Sequence, residues 1–95
     1  MKNQRRYILT NCYKQDIYIG DIVVIASLNS IYIVKISHEA KTCYVANLYI
    51  KNYAGYGSDM SIHSGKSLIT SSKLECSYKI TDTNVINAFK EYEET

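Results

Sequence analysis

Apolar and polar residues alternate with a period of two through the first half of the chain, the signature of half-buried strands. In Ile31 to Ser37, residues Tyr32, Val34 and Ile36 share one face, while Lys35 and Ser37 share the other. Thr42 to Ile50 extends the pattern furthest. Its even positions Tyr44, Ala46, Leu48 and Ile50 form an apolar face, and Cys43, Val45, Asn47 and Tyr49 form a mixed one. Only His38 to Lys41 separates the two stretches. A parallel crossover needs a dozen residues or more, so the pair is predicted to be an antiparallel hairpin. Upstream, Gly20-Asp21 punctuates the chain before Ile22-Val23-Val24-Ile25-Ala26, an apolar run of strand length, and Asn29-Ser30 marks the following turn. Residues 7–10 predict a short first strand behind a basic arm, residues 1–6, that carries Lys2, Arg5 and Arg6.

The alternation stops at Asn52. Residues 52–66 (NYAGYGSDMSIHSGK) hold three of the four glycines and read as a long loop, with a short strand expected around Met60 to His63. Long loops in small domains are disproportionately binding elements. A further strand is expected near Ser67 to Thr70, and period two returns as Cys76, Tyr78 and Ile80 against Ser77, Lys79 and Thr81. The period then changes. Val85, Ile86, Phe89 and Tyr92 fall on one helical stripe behind Asp82 or Thr83, either of which is a suitable N-cap. A C-terminal helix over 83–93 follows, with Glu91 onward expected to fray because acidic side chains oppose the helix dipole there.

Short antiparallel strands and one terminal helix imply an all-β or α+β domain. The Gly-Asp turn into a Val/Ile strand followed by a hairpin, residues 20–50, resembles the opening of small SH3-like or Tudor-like barrels. That resemblance implies a small barrel-like antiparallel sheet closed by the C-terminal helix.

At 95 residues the chain is sized for a single domain. Ile, Val and Thr supply 24 residues and Tyr another ten, a load that favours pleated sheet. Asn, Lys, Ile and Tyr have AT-rich codons, which associates the chain with low-GC phage or mobile elements. No apolar run is long enough to span a bilayer, and the N-terminus lacks the pattern of a signal peptide, so a cytoplasmic protein is expected, in the host cytoplasm if phage-encoded. Cys12, Cys43 and Cys76 show no CxxC spacing. Buried free thiols are the expectation, with an interchain disulfide as the alternative.

Candidate chemistry is sparse. Gly65-Lys66-Ser67 ends like a phosphate loop, but Met60 stands where the first glycine belongs, and the flanking strand and helix are not predicted. His63 and Asp59, with Ser61, Ser64 or Ser67 near, contain the residue types of a small hydrolase or nuclease, yet one loop offers them little preorganisation. His38-Glu39 supplies too few ligands for zinc. No metal, cofactor or catalytic set is therefore predicted.

The tyrosines carry the functional expectation. Tyr44, Tyr78 and Tyr32 fit core-facing positions; Tyr7, Tyr13, Tyr18, Tyr49, Tyr53 and Tyr56 are harder to bury together. Tyrosine concentrates at interfaces because it offers large area at little entropic cost. The expected function is a non-enzymatic module, a phage-type inhibitor that binds a host or cognate protein and occludes it through Tyr49, Tyr53, Tyr56, Met60 and His63. A homodimer through an uncovered sheet edge is a companion expectation. The alternative is nucleic acid, stacked on exposed tyrosines and tracked by Lys2, Arg5, Arg6, Lys35, Lys51 and Lys66. Charge argues against it. Residues 1–73 hold nine basic and four acidic side chains, but residues 74–95 hold two and five, leaving a net +2.

Overall fold

The computed structural model describes residues 6–26, 31–51 and 62–94. In chain order the elements are β1 (Tyr7–Thr10), β2 (Asp16–Tyr18), β3 (Ile22–Ala26), β4 (Ile31–Glu39), β5 (Tyr44–Lys51), β6 (His63–Ile69), α1 (Ser71–Glu75), β7 (Tyr78–Lys79) and α2 (Thr83–Glu94). Five strands form one antiparallel sheet in the order β6-β5-β4-β3-β7, and β1 and β2 form a separate two-stranded ribbon. This is a mixed α+β fold with mostly antiparallel strands and a C-terminal helix.

The sheet is open. Its end strands β6 and β7 do not pair with each other, so the barrel implied by residues 20–50 does not form. Closure requires long, staggered edge strands that can meet. Here β7 is two residues long, and each face is covered by another element instead. On one face, Ile17 of the ribbon and Leu74 of α1 pack with Val23, Val34, Ile36 and Ala46, flanked by Ile8, Leu9 and Ile19. On the other, Val85 and Phe89 of α2 pack with Ile22, Ile33, Leu48 and Ile50. The expected helical stripe is confirmed through Phe89, which is fully buried, whereas Tyr92 is 38% exposed at its end. Asp82 provides the cap: its Oδ1 accepts from the Asn84 N–H at 2.8 Å.

The β4–β5 hairpin forms as expected, with one correction to its faces. Lys35 pairs with Leu48 and Ile36 with Ala46, which leaves Asn47 as an extra residue on β5. One pair further on, Ile36 faces Ala46 and His38 faces Val45, which leaves Ser37 extra on β4. The two bulged residues are joined, Asn47 Nδ2 donating to Ser37 Oγ at 2.8 Å. An inserted residue moves everything beyond it to the opposite face. Tyr44 and Ala46 accordingly belong to the ribbon-side core, and Leu48 and Ile50 to the helix-side core.

Other expectations are also revised. His63 to Lys66, placed in the long loop, belong to β6, which runs unbroken through Ile69 in place of two short strands. Residues 71–75 are helical; Thr70 caps them by accepting from the Lys73 N–H at 3.3 Å. The helix does not fray at Glu91: it continues to Glu94, and Glu93 is paired with Lys35. Among the described residues no helix is long and apolar enough to cross a membrane.

Candidate functional site

The connection between β1 and β2 is built around one side chain. Asn11 is 4% exposed, and its Oδ1 accepts from the Tyr13 and Gln15 N–H groups at 3.0 and 2.8 Å. Its Nδ2 donates to Gln15 Oε1 at 2.9 Å and to the Ser77 carbonyl at 2.8 Å. Gln15 continues the clamp: its Oε1 accepts from the Lys79 N–H at 2.8 Å, and its Nε2 donates to the Lys79 carbonyl. Lys14 completes the turn at φ 63°. The loop is thereby laid against residues 75–79, and its fixed backbone presents Tyr13.

Tyr13 meets Tyr78 edge-to-face at a centroid separation of 5.2 Å. Both rings are about half exposed, 55% and 47%. Tyr78 also borders an open groove of about 430 Å³ between β3, β4, β7 and the start of α2. Val24, Ile31, Ile33, Ile80 and Val85 line it, and among the described residues Asp82 is its single charged one. A second tyrosine pair, Tyr7 and Tyr18 at 5.6 Å, lies on the ribbon, where Lys79 Nζ sits 5.6 Å from the Tyr18 ring centre and 3.3 Å from Asp21 Oδ2.

Of the residues expected to bind protein, Tyr53, Tyr56 and Met60 lie outside the described residues, and Tyr49 is described by its backbone only. On β5, Tyr49 occupies the register position opposite Val34 and His63. His63 is exposed at the start of β6. Asp59 lies outside the described residues. Gly65, Lys66 and Ser67 stand within an antiparallel strand, a setting unlike the strand-to-helix turn of a phosphate loop.

Among the described residues, the basic side chains Arg6, Lys35 and Lys66 lie on different parts of the fold. Lys2 and Arg5 lie outside the described residues, and Lys51 is described by its backbone alone. Arg6 pairs with Glu39 at 2.9 Å on the ribbon side, Lys35 pairs with Glu93 on the helix side, and Lys66 is exposed on the edge strand β6. Among the described residues no three His, Cys, Asp or Glu side chains converge on a metal site. His38 is exposed, with Nδ1 3.1 Å from Ser37 Oγ.

Two expectations about single residue types are corrected. Tyr78, placed in the core by its alternation, is half exposed: it stands opposite Val24 on the edge strand, where its ring borders the open groove and not the packed core. The cysteines are free thiols, but Cys12 and Cys76 are exposed and Cys43 is half-buried at the β4–β5 turn. Tyr13 is one of the tyrosines that are hard to bury together; its pairing with Tyr78 depends on a contact across the fold that no local pattern encodes.

No protein-family model matches the chain, and neither does a curated protein or a solved structure.

Proposed function

We propose that the chain is a non-enzymatic module that binds another protein and acts by covering part of its surface. The observation that carries this reading is the Tyr13–Tyr78 pair beside the apolar groove. Interface cores are enriched in aromatic residues and depleted in charge, and hot spots combine rigid rings with a pocket for an apolar anchor. The groove has room for one or two side chains of leucine or phenylalanine size, and its aliphatic lining suits such an anchor. The docking loop is held by buried and part-buried hydrogen bonds, so little ordering entropy is lost on association. The proposed partner is therefore a protein that inserts an apolar side chain between Ile31 and Tyr78 and rests its backbone on the two rings.

The test is affinity capture from nuclease-treated lysate of the source organism, with wild type, Tyr7→Ala and the double variant Tyr13→Ala/Tyr78→Ala. One protein recovered in equimolar amount by the first two, and at least about tenfold less by the third, is the expected outcome. Equal recovery by all three, or recovery of nucleic acid alone, overturns the reading.

A further inference from the structure

The same corner of the fold brings two cysteines together from opposite ends of the chain. The Cys12 N–H donates to the Glu75 carbonyl at 2.8 Å, and Cys76 is the next residue. This one bond bounds the separation of the two α-carbons. The N–Cα bond of Cys12, the hydrogen bond, and the step from the Glu75 oxygen to the Cys76 α-carbon reach about 7 Å if laid in a straight line, and less at real bond angles. Disulfides join α-carbons about 4.4–6.8 Å apart. On the neighbouring position Asn11 Nδ2 holds the Ser77 carbonyl at 2.8 Å, so residues 11 and 12 are pinned to the residues on either side of Cys76. Both cysteines are exposed residues, and Cys76 lines a small groove with Ile25, Ala26, Ser72 and Lys73.

We infer that Cys12 and Cys76 form a reversible intramolecular disulfide with a low-molecular-weight disulfide, of the glutathione type, as oxidant. One cysteine thiolate attacks a sulfur of the reagent and releases one thiol, leaving a mixed disulfide on the protein. The other thiolate then attacks the protein-bound sulfur and releases the second thiol. The protein loses two electrons and two protons, and one reagent disulfide becomes two thiols. In the folded chain the backbone bond already brings the two α-carbons close to bridging range. The unfolded chain, by contrast, loses the freedom of a loop that spans most of its length. In a reducing compartment the pair stays as thiols, and a shift to oxidising conditions closes it. Closure staples the loop that carries Tyr13 to the segment that carries Tyr78. The inference itself rests on the cysteine geometry and not on the docking reading.

The experiment uses the full chain, reduced and then equilibrated with mixtures of reduced and oxidised glutathione, alkylated, digested and analysed by mass spectrometry. The expected product is a monomer with a Cys12–Cys76 linked peptide and one alkylated thiol, at Cys43. The Cys43→Ser variant should give the same link, and the melting temperature should rise by about 5 °C or more on oxidation and return on adding a dithiol. Stable separate glutathione adducts on Cys12 and Cys76, dominant links to Cys43, or covalent dimers only would overturn the inference. No partner is needed for this measurement, so its failure leaves the docking surface standing, and undiminished capture by the tyrosine double variant leaves the disulfide standing.

Discussion

The Asn11 side chain donates to the Ser77 carbonyl across 66 residues of sequence, at 2.8 Å and out of contact with water. This bond ties the β1–β2 turn to the segment between α1 and β7, and it is the deepest of the four that Asn11 makes. Replacement by alanine strands one buried carbonyl and two turn amides. Asn11→Ala should therefore cost about 2–3 kcal/mol in urea denaturation. A cost below about 0.5 kcal/mol would show that water replaces the side chain without penalty.

Phe89 and Tyr92 lie on the same stripe of α2 but differ in what they cover. Phe89 is fully buried in the helix-side core; Tyr92 is 38% exposed. Truncation of a buried phenylalanine leaves a cavity, so Phe89→Ala should lose about 3–4 kcal/mol, while Tyr92→Ala loses about 1 kcal/mol or less. Equal losses would mean that the last turn of α2 packs more tightly than its exposure indicates. The comparison is made on the two midpoints at unchanged m-value.

Lys35 on β4 and Glu93 on α2 form an ion pair that holds the end of the helix to the sheet. Both side chains remain partly open to solvent, 26% and 42%. A double-mutant cycle with Lys35→Met and Glu93→Gln should return a coupling of about 0.5 kcal/mol, diminished in high salt. A coupling near zero at low salt would remove the pair from the account of why α2 reaches Glu94.

Lys14 adopts φ 63° in the turn that Asn11 organises. A side chain carries a steric cost in the left-handed region that glycine escapes, although glycine also gives up more unfolded-state freedom. Lys14→Gly should on balance stabilise the chain by about 0.5–1 kcal/mol, read as a higher melting temperature. Lys14→Val, β-branched at the same angle, should destabilise it. The reverse order would show that the Lys14 side chain makes contacts that outweigh its backbone strain.

Much of the architecture is legible in local pattern. The strands of the β4–β5 hairpin alternate over long runs, and α2 begins at a good capping residue with a clear apolar stripe. What escapes local pattern has definite causes. Helix α1 spans five residues, too few to show a period, and is stabilised by its Thr70 cap and by burial of Leu74. Strand β6 reads HSGKSLI, whose serines and glycine resemble a loop; its identity comes from pairing with β5. Asn47 occupies a slot where alternation already expects a polar residue, so nothing in the pattern reveals that it is an insertion. The exposed site is least legible of all, because Tyr13 and Tyr78 become neighbours only through the Asn11 and Gln15 bonds.

The Asn47 bulge makes the number of residues in β5 as much a part of the design as their identity. Remove that one position and Leu48 and Ile50 rotate half a turn, away from α2 and toward the ribbon, where Ile36 and Ala46 already fill the space. The positions of Tyr49 and Lys51 would then face the helix in place of Leu48 and Ile50. Changing the side chain at 47 costs at most a bond to Ser37, whereas shortening the strand by one misassigns an interior.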